Sequence, residues 1–162
     1  MKVQPGFTLA ERMKKFEDIS RYKVSPKQPV MIRLSARGFS KFRSQNGLTK
    51  FDSRISNMFM KTMLQLGEAI NQIEYGYHYS DEVIFFLKDY KTKKQEQYFN
   101  GNIQNINSLI TSKFTYLFNK NSEWIYPVEN PIPVEFTCKV FTLPMYEVAN
   151  YFINHQRESI KF

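Results

Sequence analysis

Apolar residues recur along this chain in two rhythms, and the change from one to the other marks its elements. Thr8 to Asp18 reads as a short helix, with Thr8 as N-cap and Glu11, three residues on, completing a capping box. Arg21 to Pro29 is a basic linker. Val30, Ile32 and Leu34 then alternate with Met31 and Arg33, which predicts a strand. Asp52 and Ser53 offer a cap for a long helix whose apolar stripe is Ile55, Met58, Phe59, Met63, Leu66, Ile70 and Ile73. Tyr75 to Tyr79 and Val83 to Leu87 flank Ser80-Asp81 and predict a hairpin of two aromatic-rich strands. Asp89 to Gln97 is charged and reads as a connection. Ile103, Ile106, Ile110, Phe114 and Leu117 mark a second long helix by the same 3/4 spacing. Val134, Phe136, Cys138 and Val140 alternate with Glu135, Thr137 and Lys139, a half-buried strand. Pro144 opens a last helix through Val148 and Phe152, proline being favoured in a first helical turn. Trp124 and Tyr126, before Pro127, are expected to close the core.

The order strand, helix, strand, strand, helix, strand predicts an α+β fold. It is the ferredoxin-like, polymerase-palm βαββαβ pattern, an antiparallel sheet with helices on one face. In this topology the first strand and the first hairpin strand run parallel. The turn after Leu34 and the turn at Asp81 therefore open on the same edge of the sheet. No internal repeat or second domain is visible, so residues 1–162 are expected to form one palm-like domain.

Charge sharpens this picture. The formal net charge is +8, and residues 1–54 carry 13 of the 23 Lys/Arg against 4 of the 15 Asp/Glu. A basic excess confined to one end suits a polyanion such as RNA or a nucleoside triphosphate, and it also suits a merely soluble surface. The single cysteine, Cys138, excludes an internal disulfide or a Cys zinc site and reads as a small core residue. The opening Met1-Lys2-Val3-Gln4-Pro5 is not of signal-peptide type, and no stretch reaches the ~20 apolar residues of a membrane helix. A reducing, cytoplasmic setting with no membrane partner is expected.

Candidate chemistry gathers at the shared sheet edge. Pro29 to Phe39 is an apolar strand running into a polar, glycine-containing turn. Tyr79-Ser80-Asp81-Glu82 places a carboxylate pair between two apolar runs. A metal-dependent nucleotidyl transferase of the palm type needs acids at two neighbouring strand ends. Two divalent ions do the work there, one activating the attacking oxygen and one holding the triphosphate. Magnesium takes hard oxygen ligands, and Asp81 and Glu82 are placed to give them. An adjacent acid pair in a surface turn is common in itself. Other residues also have plain readings. Arg33 can solvate a strand edge, Arg37 and Lys41 can hold phosphates or decorate a loop, and His78 among aromatics reads as a packed histidine. Tyr75, Tyr77 and Tyr79 are period-two strand residues before they are stacking platforms. His155 is assigned no role.

Longer stretches carry a resemblance. These are Leu9-Ala10-Glu11-Arg12-Met13-Lys14-Lys15-Phe16-Glu17, then Pro29 to Phe42, Lys50-Phe51-Asp52 and Tyr77 to Glu82. Phe99-Asn100-Gly101-Asn102-Ile103-Gln104 with Ser108, and Phe141 to Ile153, complete the set. In order and spacing the chain resembles the tRNAHis guanylyltransferase family, whose members extend or repair tRNA 5′ ends in the 3′-to-5′ direction. The resemblance implies a palm-like fold, a nucleoside triphosphate (GTP or ATP) and Mg²⁺ as ligands, and tRNA or another RNA as substrate. It implies Asp81 and Glu82 as catalytic acids, with Asp81, the Ala36 carbonyl and Ser35 at the metal positions. Arg37, Gly38, Phe39, Lys41 and Ser80 would line the nucleotide pocket. A homo-oligomer is also in keeping with the family.

The departures fall on the same site. The family's Arg-Leu-Asp-Gly-Arg stands here as Arg33-Leu34-Ser35-Ala36-Arg37, so the aspartate that would bridge both ions is a serine. A lysine expected after Gln104 is Asn105, and a Phe-Asp-Ala-Arg segment appears as Phe136-Thr137-Cys138-Lys139. After Tyr151-Phe152-Ile153 the family's Trp-Arg-Gln gives way to Asn154-His155-Gln156. The C-terminal portion that helps grip tRNA is not expected within these residues. Losing the bridging charge predicts a rate loss of roughly 10²–10⁴. Two functions stay open: a nucleotidyltransferase of reduced or lost activity, and a non-catalytic nucleotide- or RNA-binding module built on the same palm. A purely structural oligomerisation domain is a third.

Overall fold

The structure, a computed structural model, describes residues 6, 8–92, 94–123 and 132–160. Trp124 and Tyr126, expected to close the core, lie outside the described residues. The elements in chain order are α1 (Leu9–Asp18), β1 (Val30–Arg37), α2 (Phe39–Gln45), α3 (Ser53–Ala69), β2 (Ile73–Tyr79) and β3 (Glu82–Leu87). A 3₁₀ turn at Tyr98–Gly101 leads to α4 (Ile103–Glu123), β4 (Glu135–Thr142) and α5 (Met145–Ile160). The four strands form one sheet in the order β2-β3-β1-β4, and each neighbouring pair is antiparallel. Since β3 lies antiparallel between them, β1 and β2 run parallel and end on the same edge.

Alternation along the strands divides the molecule into two layers of packing. Val30, Ile32, Leu34, Val83, Phe85, Leu87 and Phe136 point to one face, where α3 and α4 bring Met58, Phe59, Leu66, Ile106, Ile110, Phe114 and Phe118. Phe59 is fully buried at the centre of this core. Its ring lies 4.8 Å from Phe118, 5.7 Å from Phe39 and 6.2 Å from Phe136 between centroids. Tilted and edge-on aromatic pairs of this kind add about 0.5–1.5 kcal/mol each to the burial of their surface. Cys138 packs partly buried against the same core. The two long helices thus share one face, as the apolar stripes require.

The opposite face is covered by α5. Val148, Tyr151 and Phe152 pack on Met31, Ile84, Phe86, Tyr77 and Phe141. The sequence pattern ended this helix near Phe152, whereas it continues to Ile160, so helices on one face describes only the two long ones. The short helix α2 was not foreseen, because seven residues carry too little periodicity to show. Ile70 and Ile73 belong to the cap of α3 and the start of β2 rather than to the helical stripe. Asp89, expected in a charged connection, is buried. α1 carries the expected capping box, with the Glu11 backbone N–H donating to the Thr8 hydroxyl (3.2 Å) and the Thr8 N–H donating to Glu11 Oε2 (2.7 Å). It buries none of its residues.

Candidate functional site

β1 delivers Arg33, Ser35 and Arg37 by period-two alternation away from the α3/α4 core, while Val30, Ile32 and Leu34 enter it. Ser35 stands opposite Glu82, the first residue of β3. One step on, the Ala36 N–H donates to the Asp81 carbonyl at 2.9 Å. The two segments singled out in the sequence, some 45 residues apart, therefore meet through backbone and side chain. Ser80, which starts the turn between β2 and β3, has a left-handed backbone with φ 52. A non-glycine residue there is uncommon, and such backbone is held in place by its surroundings.

The polar contacts centre on Glu82. Its Oε1 accepts from Arg33 Nη2 (2.5 Å) and from the Ser35 hydroxyl (3.2 Å), and its Oε2 accepts from Arg33 Nε (3.2 Å). This fork raises the Arg33 guanidinium further above its ordinary range, against the opposing effect of burial. Tyr151 of α5 lies beside Arg33, and its phenol is pushed upward mainly by burial. The Tyr79 hydroxyl donates to the Ser159 carbonyl at 3.2 Å, tying the end of α5 to the end of β2. A groove of about 270 Å³ results, lined by Lys50, Tyr79, Ser80, Asp81, Glu82, His155 and Glu158. A second hollow of about 250 Å³ lies across Lys50, Tyr79 and Ser80, toward the start of α3, lined also by Phe51, Asp52, Ile55, Ser56 and His78.

The remaining sequence-derived residues divide. Arg37 and Lys41 are exposed on either side of Gly38, whose positive φ of 69 makes the sharp passage from β1 into α2. Phe39 is buried and stacks on Phe42 at 5.8 Å, so its ring serves the core. His78 stacks on Phe59 at 4.3 Å, and burial holds its imidazole below the usual range. Asn105 is exposed near the start of α4. Arg33 was read from sequence as an edge residue and His155 was given no role; both belong to the site, as do Lys50, Tyr151 and Glu158. The spacing of Tyr151, His155 and Glu158, i, i+4 and i+7, would have flagged them as one helical face.

The donor set can be tested against magnesium. The Asp81 carboxylate and the Ala36 carbonyl are the hard oxygens on offer, and the Ala36 N–H to Asp81 carbonyl bond joins the two backbones that carry them. The Ser35 hydroxyl is neutral and engaged, and Glu82 is neutralised by Arg33. Among the described residues no group of three or more His, Cys, Asp or Glu is arranged to hold a metal ion. These residues do not fit a two-ion centre.

Comparison with known proteins places this arrangement. Against curated protein sequences there is no match. Among solved structures, a bacterial tRNA(His) guanylyltransferase-like protein in complex with ATP superposes with a TM-score of 0.88 at 30% identity, over 94% of this chain and 66% of that one. A bacterial protein of the same description in complex with GTP superposes with a TM-score of 0.89 at 29% identity, over 95% of this chain and 73% of that one. The tRNA(His) guanylyltransferase of Saccharomyces cerevisiae shares the fold, with a TM-score of 0.75 at 18% identity, over 86% of this chain and 61% of that one. The chain thus spans about two thirds of the length of these proteins. The family model described as tRNAHis guanylyltransferase matches residues 10–144, and with the palm topology and the paired strand ends already in place, the chain belongs to the tRNAHis guanylyltransferase family.

Proposed function

We propose that this protein binds a nucleoside triphosphate at the edge where β1 and the β2–β3 turn meet, and that it is a nucleotidyltransferase of the tRNA 5′ end whose chemical step is weakened. The observation that carries this reading is the meeting of Ala36 with Asp81 and of Ser35 with Glu82. It is the layout a palm uses to bring triphosphate and metal together, and it is retained although its bridging carboxylate is missing. Arg37 and Lys41 flank the Gly38 turn and offer cations to phosphates, while Lys50 lies between the two hollows. Asp81 and the Ala36 carbonyl would hold Mg²⁺, which when bound neutralises triphosphate charge. The bacterial proteins solved with ATP and GTP support a purine nucleotide as ligand. The basic first third of the chain supports RNA as the second partner. No helix among the described residues is long and apolar enough to cross a membrane.

One feature favours the non-catalytic alternative, in which the palm is kept as a binding platform. The Ser35 hydroxyl is turned onto Glu82 at 3.2 Å, a neutral group where the bridging carboxylate would stand. An assay for nucleotide addition to a 5′-truncated tRNA, with GTP or ATP and Mg²⁺, separates the two. Slow addition abolished by Asp81→Ala supports the enzyme. Calorimetric binding of nucleotide without any addition supports the platform, and no binding of any nucleotide sinks both.

A further inference from the structure

We infer that the last turns of α5 make polyphosphate binding in the 270 Å³ groove proton-linked, with His155 as the switch and Glu158 as the charge it masks. The inference rests on the nucleotide-binding reading above and deepens it by giving that site a regulator. Glu158 is held at the groove by its own helix. Its Oε1 accepts from Asn154 Nδ2 at 3.3 Å. Its Oε2 lies 3.7 Å from His155 Nδ1, too far for a hydrogen bond but close enough for an ion pair once the ring is protonated. Asn154 and His155 stand where the family's motif has Trp and Arg, so two departures from that motif meet at one carboxylate. An arginine there would be charged at every pH, whereas a histidine changes charge between about pH 5 and 8.

The pair is fixed in position. The His155 side chain is only 10% exposed, and its ring lies 4.7 Å from that of Tyr151. The Tyr79 hydroxyl, bonded to the Ser159 carbonyl, pins the same turn of α5 to β2. Charges face the groove from the other elements too. Lys50 precedes α3, Asp81 sits in the β2–β3 turn, and Glu82 of β3 is forked by Arg33 of β1. Arg33 is raised first by its bond to Glu82 and Tyr151 first by burial, and the Glu158 charge adds to both. Its field therefore extends beyond α5, and a polyphosphate entering the groove is repelled by it. A protonated His155 cancels that field, and a neutral one leaves it. Affinity for a polyphosphate should thus rise as pH falls through the imidazole's range. Of the chain's two histidines, His155 lines this groove and His78 the neighbouring hollow.

The test is calorimetric titration with ATP at fixed Mg²⁺ between pH 6 and 8, on the natural chain, His155→Gln, His155→Arg, Glu158→Gln and His78→Gln. Protonation of ATP itself is common to all five and cancels in the comparison. From pH 8 to 6 the natural chain is expected to gain about three- to fivefold in affinity beyond His155→Gln, the size of a partly exposed ion pair. His155→Arg and Glu158→Gln should lose this extra gain by binding more tightly at pH 8, and His78→Gln should keep it. By reciprocity, bound ATP should move the His155 ring titration of the natural chain to higher pH, which proton resonance reads without any variant of α5. A natural profile parallel to that of His155→Gln, a Glu158→Gln variant that keeps the extra gain, or a ring titration unmoved by ATP overturns the inference. If ATP does not bind at any pH, the nucleotide reading fails, and inorganic triphosphate takes its place in the same titrations. The same difference between the natural chain and His155→Gln then upholds the inference, and its absence overturns it.

Discussion

Replacing Ser35 by aspartate should make the stability of this protein depend on a divalent ion. The Ser35 hydroxyl lies 3.2 Å from Glu82 Oε1. An aspartate on the same backbone brings a second carboxylate to within about 4 Å of the first. At an effective dielectric constant of about 20, two like charges at that distance repel by roughly 4 kcal/mol. Arg33, already forked on Glu82, offsets part of this, and both charges of that pair are partly exposed to solvent. A net loss of about 1–2 kcal/mol remains, which for a chain of this size lowers Tm by roughly 2–8 °C. The same charge pair is a better cation site. Mg²⁺ at about 100 times its Kd returns roughly 2.7 kcal/mol. The assay is thermal denaturation of the natural chain and of the variant, each with and without Mg²⁺. The variant should melt lower without metal and recover with it, while the natural chain responds little. Equal Mg²⁺ shifts in both proteins, or an unshifted metal-free variant, would refute the electrostatic reasoning. Nucleotide addition should return in part once Ala36→Gly is added to relieve the turn, and Asn105→Lys strengthens it if triphosphate charge is limiting. Asp81→Ala in that background should abolish the gain.

Four further outcomes are expected. His78 is held neutral by burial, so the unfolded chain binds its proton more readily, and stability should fall as pH drops below about 6.5; denaturant titrations at pH 5 to 7.5 should show this slope reduced in His78→Gln. The Cys138 thiol is pushed up to about 11 by burial, so alkylation at pH 8 should be slow in the folded protein and fast in denaturant. Phe59→Ala removes a fully buried ring that touches four other aromatic side chains and should cost about 3–5 kcal/mol by chemical denaturation. Binding of tRNA, if carried by the basic first third, should weaken steeply between roughly 50 and 200 mM salt; an affinity flat across that range removes that surface from the interface.

The order of elements and the topology could be read before any coordinates. Each depends on local rules: the 3/4 stripe from Ile55 to Leu66, the alternation from Val30 to Leu34, the capping box at Thr8, the turn chemistry at Ser80-Asp81. From these alone, β1 and β2 were expected to end on one edge, and Ser35 does face Glu82 there. Local rules did not reach the reverse face. α5 covers it through Val148, Tyr151 and Phe152, and nothing in a helical period says which side of a sheet the helix will choose. That choice depends on which apolar strand residues are left uncovered, here Met31, Ile84 and Phe86, and so on the whole packing at once. The same limit explains the site. Asp81 and Glu82 are neighbours in sequence and look equivalent, a matched acid pair. In the folded chain Glu82 is bound by Arg33, 49 residues earlier, and Asp81 presents its backbone to Ala36. Residue types and spacing determine which groups arrive at an edge. Which of them are already satisfied, and so which remain to take a ligand, is decided by contacts between distant segments that exist only once the sheet has formed.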